Sequence, residues 1–358
     1  MTKPRVAIVL FNLGGPDRPE SIRPFLVNLF TDPAILRVNP FLRPFLARII
    51  ARARVRPATE NYARLGGRSP LLELTEQQAR ALEDALPDMD VRCFIAMRYW
   101  HPMSEETARA VAAWDPDEIM LLPLYPQYST TTTGSSLTAW REAAAQVGLF
   151  KPTVSLCCYY ADDDFIRAEA ALVRRAWDAA RAELGPDVPL RILFSAHGLP
   201  KIIIQEGDPY QFQVELSVSG VVQRLGIRGL DYVVCYQSRA TPQEWLAPST
   251  EDELERAGRD KVAVLVVPIA FVSEHSETLV ELDVEYKELA EQVGVPHYFR
   301  APTQNADPGF IKALAALVRR SLGFGNGTCS FVGGRTCAGH HRDCPFAQSD
   351  PRERLGVT

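Results

Sequence analysis

Short, almost continuous apolar runs alternate along this chain with longer stretches whose apolar residues recur at helical spacing. The runs are RVAIVLF at 5–11, VRCFIAMRY at 91–99, EIMLLPLY at 118–125 and TVSLCCYY at 153–160. A second set follows: RILFSAH at 191–197, YVVCYQS at 232–238, KVAVLVVPIAF at 261–271 and VPHYFRA at 295–301. Runs that are apolar throughout, rather than alternating, fit strands buried on both faces of a parallel sheet. The stretches between them predict crossover helices at 71–86, 104–114, 164–183, 209–225 and 250–258, with a last helix at 308–321. The Ser/Thr-rich turn at 129–136 opens a further helix that runs through Ala144. The β-α-β order therefore predicts two α/β units of four strands each. A length of 358 residues, too great for one typical core, agrees with two units.

Composition changes this picture little. Hydrophobic residues make up 46% and charged residues 23%, an ordinary globular balance. A net charge of −5 argues against a nucleic-acid binder that works by neutralising phosphates. The 27 prolines are scattered, so no proline-rich linker divides the chain. The start, MTKPRVAIVLF, lacks the long apolar core and small-residue cleavage site of a signal peptide. No stretch approaches the roughly 20 apolar residues that span a bilayer. The expectation is a soluble or peripheral cytoplasmic protein. Residues 41–56, FLRPFLARIIARARVR, combine five arginines with Phe, Leu and Ile and contain no acid. Such a basic amphipathic stretch reads either as a membrane-surface segment or as a solvated helix packed on its own core.

Two stretches stand out chemically. His197 ends the run 191–197 and is followed at once by Gly198, Leu199 and Pro200. That is a loop above a strand, where open α/β sheets carry their chemistry; a histidine there is as readily a hydrogen-bonded structural residue. Glu277, Glu281 and Glu285 recur every four residues, which on a helix stacks three carboxylates on one face. Like charges so aligned destabilise an ordinary helix unless they fan into water or serve a purpose. Leu279, Val280 and Leu282 within the stretch favour partial enclosure, where neighbouring carboxylates share protons. Seven cysteines do not read as a disulfide framework in a chain of this size. Three of them, Cys329, Cys337 and Cys344, crowd into the tail beside His340 and His341. Zinc is the general reading of clustered Cys and His, but close CxxC pairs are missing. Cys93 and Cys235 lie in apolar runs and read as core.

The run VPIAFVSEHSETLVELDVEY at 267–286, with FSAHGLP at 194–200, LGGP at 13–16, RYWHP at 98–102, YPQYSTTTTGSSL at 125–137 and YQSRATPQEWLAPST at 236–250, resembles the ferrochelatases. The resemblance runs from about residue 5 to about residue 322, with the blocks in the family's order. It implies an α/β chelatase fold of two pseudo-duplicated Rossmann-like domains, each a four-stranded parallel sheet flanked by helices, with a cleft between them. The implied division is 1–153 plus 302–322, then 154–301, then a tail at 323–358, the final helix packing back onto the first domain. The implied activity is insertion of Fe²⁺ into protoporphyrin IX with release of two protons. Coproporphyrin III as substrate is the close rival, a sirohydrochlorin-type chelatase a second enzyme reading, and a non-catalytic porphyrin or haem carrier the alternative of another class.

Metallating a porphyrin requires that two pyrrole protons leave and that a divalent metal shed its water. A neutral imidazole suits the first task and carboxylates suit proton relay or transient metal holding. The resemblance assigns these roles to His197 and Glu277, both also candidate ligands of the substrate iron, with Glu281 and Glu285 leading outward. It leaves open from which side iron enters. It places Asn12, Leu13 and His275 beside the porphyrin. Tyr62, Tyr99 and Trp245 are candidates for contact with the ring, and Arg54, Arg98 and Ser238 for its carboxylates or the pocket wall. Ala240-Thr241-Pro242 departs from the family's Val-Gly-Pro and puts local contacts there in doubt. A subset of the family holds a 2Fe–2S cluster with three C-terminal cysteines and one from the earlier chain. The resemblance thus implies Cys329, Cys337 and Cys344 plus one of Cys157 and Cys158. Neighbours on a strand face opposite sides, which favours a single member of the pair, Cys158. Monomer and homodimer both remain open.

Overall fold

The structure, a computed structural model, describes residues 3–239 and 243–349. The departure at 240–242 and the last residues of the tail therefore lie outside the described residues. Strands β1 (Arg5–Asn12), β2 (Asp90–Met97), β3 (Glu118–Pro123) and β4 (Thr153–Leu156) build the first sheet in the order β2-β1-β3-β4. Strands β5 (Leu190–His197), β6 (Asp231–Gln237), β7 (Ala263–Pro268) and β8 (Tyr298–Arg300) build the second in the order β6-β5-β7-β8. Every pairing in both sheets is parallel. The same winding occurs twice, with the first strand of each set between the second and third. Each sheet thus reverses its strand order once, and the carboxyl ends of β1 and β5 open onto a crevice at that reversal.

Two differences from the sequence reading have clear causes. The first sheet has five strands, not four, because β9 (Gly327–Cys329) of the tail pairs with β4 and covers its open edge. The strands are also shorter than the apolar runs. Pro123 and Pro268 end β3 and β7, since proline has no N–H to give to a ladder. Strand β4 stops at Leu156, so Cys157 and Cys158 lie beyond it and strand alternation does not govern them.

Helices Asp163–Leu184 and Pro308–Leu322 lie between the sheets. Ile8 and Leu10 of β1, Phe194 of β5 and Val267 of β7 join Phe165, Val173, Phe310 and Leu314 of these helices in one apolar cluster. The return helix Pro308–Leu322 packs on the first-unit helix Leu71–Asp84, as expected, and also on Asp163–Leu184. Asp162 starts the latter by accepting from Phe165 N at 3.1 Å, and Arg320 of the return helix pairs with the same carboxylate. The basic stretch forms helix Arg43–Arg64, longer than the sequence suggested. Its small residues Ala47 and Ala51 face inward, while Phe41, Leu42, Phe45 and Ile49 stand in solvent, Phe41 at 93% exposure. Among the described residues no helix is long and apolar enough to cross a membrane.

Candidate active site

A cavity of about 820 Å³ lies in the crevice between the units, within the size range of small-molecule sites. Its inner end is built by the second sheet. His197 is the last residue of β5, and the chain turns away at Gly198, whose N–H donates to Gln237 O at 2.8 Å. A Cβ at Gly198 would stand 2.7 Å from that same carbonyl, so the turn admits glycine only. His197 Nδ1 lies 2.9 Å from Glu277 Oε2, and both side chains open on the cavity.

Glu277 begins a π-helix that runs to Glu285, where an ordinary α-helix was expected. Hydrogen bonds from i to i+5 put more than the α-helix's 3.6 residues in each turn, so positions four apart fall short of a full turn. Glu277 and Glu281 still share the inner face, but Glu285 has moved to the exposed surface. Glu281 Oε2 instead accepts from Ser238 Oγ at 2.5 Å and from Gln237 Nε2 at 3.1 Å. Ser238 reaches it from a left-handed backbone conformation, φ +66°, uncommon for any residue but glycine. Gln237 also donates to Glu277 O at 3.2 Å and accepts from Ser195 Oγ at 2.9 Å, which fixes its amide orientation. Arg300 holds the π-helix from outside. It grips Asp283 through both carboxylate oxygens, at 2.5 and 2.7 Å, and reaches Glu274 at 2.8 Å on the segment leading into the helix.

The electrostatics separate these groups. Burial pushes the His197 imidazole down, but the charge and hydrogen bond of Glu277 outweigh it and the net shift is upward. Burial pushes Glu277 up, and the His197 charge more than reverses this, to about 2. Glu281 is pushed up to about 7 by burial and then by the charge of Glu277, against the Ser238 hydrogen bond. Burial lowers His275, whose buried Nδ1 finds no hydrogen-bond partner among the described residues and whose ring packs edge-on against Phe271 at 4.7 Å. The mutual attraction of His197 and Glu277 thus favours a proton on His197 beside a charged Glu277, Glu281 stands near half-protonation at neutral pH, and burial favours the neutral form of His275. From Glu281 the contacts lead on through Tyr286, whose hydroxyl is 3.0 Å from Glu281 Oε1 and 3.1 Å from Glu251 Oε1. One hydroxyl proton serves one carboxylate at a time, so both contacts are hydrogen bonds only when one acid carries a proton. Glu281 is poised to do so.

Of the other sequence candidates, Asn12, Leu13, Arg54, Ser238, Trp245 and His275 line this cavity. Tyr62, Arg98 and Tyr99 do not. Tyr62 is buried among Ile22, Phe25 and Ala51, with its hydroxyl bonded to Ser276. Tyr99 is fully buried and donates to Asp32 Oδ2 at 2.8 Å. Arg98 pairs with the same carboxylate at 2.8 Å and faces a separate cavity of about 530 Å³. Sequence reasoning missed Gln237, Phe271, Tyr286 and Glu251. Gln237 alone had a local signal, as the residue ending a strand next to Ser238.

Cys157 and Cys158 after β4 and Cys329, Cys337 and Cys344 of the tail are all buried. Cys157 and Cys158 bring their sulfurs to 3.1 Å, pointing the same way, because neither lies on the strand. Cys157 N donates to Cys329 O at 2.8 Å, and Gln213 Nε2 donates to Cys337 Sγ at 3.2 Å. A hydrogen bond from Cys337 lowers Cys344 to about 6, against burial. Among the described residues no three Cys, His, Asp or Glu side chains stand in a geometry that would hold a metal ion. The donor chemistry nonetheless suits an iron–sulfur group: soft thiols, buried, from two separate segments. His341, part of the zinc alternative, packs tilted against Phe212 with ring centroids 5.0 Å apart.

Residues 5–322 match the family model described as Ferrochelatase. The ferrochelatase of Caulobacter vibrioides is 51% identical over 95% of this chain and 97% of its own. That of Phenylobacterium zucineum is 51% identical over 93% of this chain and 98% of its own. Among solved structures, SirB from Bacillus subtilis with Fe³⁺ superposes with a TM-score of 0.51 at 11% identity, covering 89% of this chain and 95% of that one. That last likeness speaks for the chelatase fold alone.

Proposed function

This chain belongs to the ferrochelatase family, enzymes that insert a metal into a porphyrin, and on that premise we propose that its crevice inserts Fe²⁺ into protoporphyrin IX. The observation that carries the site assignment is the His197–Glu277 pair, 2.9 Å apart, at the inner end of a cavity of about 820 Å³. In this reading a flat apolar macrocycle lies in the cavity, against Trp245 and Phe271, with His197 and Glu277 facing its nitrogens. The proton shared by the pair passes to Glu281, which frees the imidazole to accept a pyrrole proton. The second pyrrole proton follows the same route. Two protons leave, one dication enters, and charge balances. Glu277 and His197 are also the groups that would hold the incoming iron as it sheds water. Ser238 and Arg54 belong to the pocket wall, while Tyr62, Arg98 and Tyr99 support it from behind.

The tail would hold a 2Fe–2S cluster through Cys158, Cys329, Cys337 and Cys344, with Cys157 as the competing fourth ligand. Support comes from their common burial, and the role fitting the geometry is to fasten the tail across the β4 edge. The exposed Phe41, Leu42, Phe45 and Ile49, beside arginines, would rest on a membrane surface. The chain divides in this reading into 1–153 with 302–322, then 154–301, then 323–358, supported by the identical strand orders of the two sheets.

One cuvette tests the central points. An absorption spectrum of anaerobically purified protein should show an iron–sulfur chromophore that Cys344→Ser abolishes; a colourless protein containing zinc would move those cysteines to a zinc site. Zinc and protoporphyrin added next should give the metalloporphyrin spectrum, and a folded His197→Ala variant should not. Porphyrin binding without conversion would make the protein a carrier. Parallel rates with coproporphyrin III decide between the two porphyrins.

A further inference from the structure

The charges lining the cavity are segregated. Glu277 lies at the inner end with Glu281 behind it, whereas Arg37 and Arg54 lie on the wall contributed by the first unit. Arg37 belongs to the segment that follows helix Ile22–Thr31 and forms one lip of the mouth with Ile35, Leu36 and Val38. The opposite lip is helix Lys201–Glu206, which presents Ile202 and Ile203 to the cavity. Across the opening Arg37 pairs with Glu206 at the end of that helix, and both side chains are part-exposed, 37% and 49%. Resting on the reading above, a porphyrin is an apolar disc with carboxylates on one edge. The acids at the inner end repel that edge, and the apolar walls reject it. Its place is the mouth, where the Arg37 guanidinium already holds a carboxylate of the protein's own.

We propose that Arg37 binds a carboxylate of the porphyrin, and that Glu206 occupies Arg37 in the empty enzyme and is displaced as substrate enters. An exposed ion pair is weak and exchangeable, whereas an arginine fork meeting a carboxylate at the edge of an apolar cavity makes charge-assisted hydrogen bonds. The exchange has a signature that simple packing lacks. Removing the arginine weakens substrate binding, and removing its internal competitor strengthens it. Both effects vanish when the substrate's carboxylates are esterified.

The test is a fluorescence titration of the full chain with metal-free protoporphyrin and with its dimethyl ester. Wild type, Arg37→Met and Glu206→Gln are compared, with circular dichroism as the check on folding. Arg37→Met should bind the free acid about tenfold more weakly, and Glu206→Gln should bind it several-fold more tightly. The ester should bind all three alike. Equal affinities of wild type and Arg37→Met for the free acid would overturn the proposal, as would an equal loss for acid and ester. A Glu206→Gln variant that binds the acid no more tightly than wild type would overturn the displacement. If wild type binds porphyrin but never metallates it, the catalytic reading fails while the Arg37 result still stands or falls by its own comparison.

Discussion

Replacing Glu281 with glutamine should stabilise the folded protein above neutral pH while slowing metal insertion. The carboxyl of Glu281 is raised from an ordinary 4.5 to about 7 by burial and by the neighbouring Glu277 charge. The folded chain therefore keeps a proton there that the unfolded chain releases near pH 4.5. That proton's contribution is fully present below the unfolded value and is lost as pH rises through about 7. At 1.36 kcal/mol per unit, the loss amounts to about 3 kcal/mol between the two limits. Glutamine mimics the protonated acid. Its carbonyl oxygen accepts from Ser238 and Gln237, and its amide donates toward Tyr286, with no charge to lose. Urea unfolding midpoints of wild type and Glu281→Gln should thus lie close together near pH 5. They should separate in favour of the variant by pH 8, while zinc insertion slows at every pH. A difference in midpoint that is independent of pH, or a variant less stable at pH 8, would refute the assignment of a raised, proton-holding carboxyl at this position.

Other perturbations follow from the same geometry. Tyr286→Phe removes the hydroxyl joining Glu281 to Glu251 and should lower kcat several-fold with KM unchanged in steady-state zinc insertion; a change confined to KM would place Tyr286 in substrate binding instead. Gly198→Ala puts a Cβ 2.7 Å from Gln237 O, so the loop after β5 must shift away from the end of β6, and thermal denaturation should show a loss of about 1–3 kcal/mol with activity falling further than stability. Arg300→Leu leaves Glu274 and Asp283 without their cation and should cost about 3–5 kcal/mol by denaturant titration, more than an equivalent change at the exposed Arg167–Asp163 pair.

What the sequence made legible is what depends on short-range pattern. Apolar runs without alternation gave the parallel strands, and a histidine ending one of them could be placed at a carboxyl edge before any contact was known. Residues 277 and 281 could be placed on a common face because four residues are close to one turn in either kind of helix. The π-helix itself was hidden, since i to i+5 bonding answers to tertiary clamps such as Arg300, which lies 17 residues from Asp283. Glu285, eight residues from Glu277, has drifted from the common face and lies exposed, as a residue leading outward would. Arg98 and Tyr99 look from sequence like any basic and aromatic lining residues; only the buried Asp32 carboxylate, 67 residues from Tyr99, turns them away from the cavity. Cys157 and Cys158 were assigned by strand alternation, an argument that ended where the tail strand took over the edge.

The cavity's division of labour gives the two-unit architecture its physical sense. In the proposed function the second sheet supplies the proton-handling groups: His197 from β5, Gln237 from the end of β6, and the carboxylates from the π-helix that follows β7. The first unit contributes mainly apolar walls with Arg54 among them, and Arg37 at the mouth. On that proposal, acids at one end and cations at the other would align a substrate that is charged on one edge only, before any covalent change. A single sheet with its own crossovers could not do this, because its carboxyl edge presents one side of a cleft and leaves the other to water. Burial is also what raises Glu281, whereas the attraction between His197 and Glu277 prevails against it. The duplication therefore supplies the cavity with two facing walls, one from each unit.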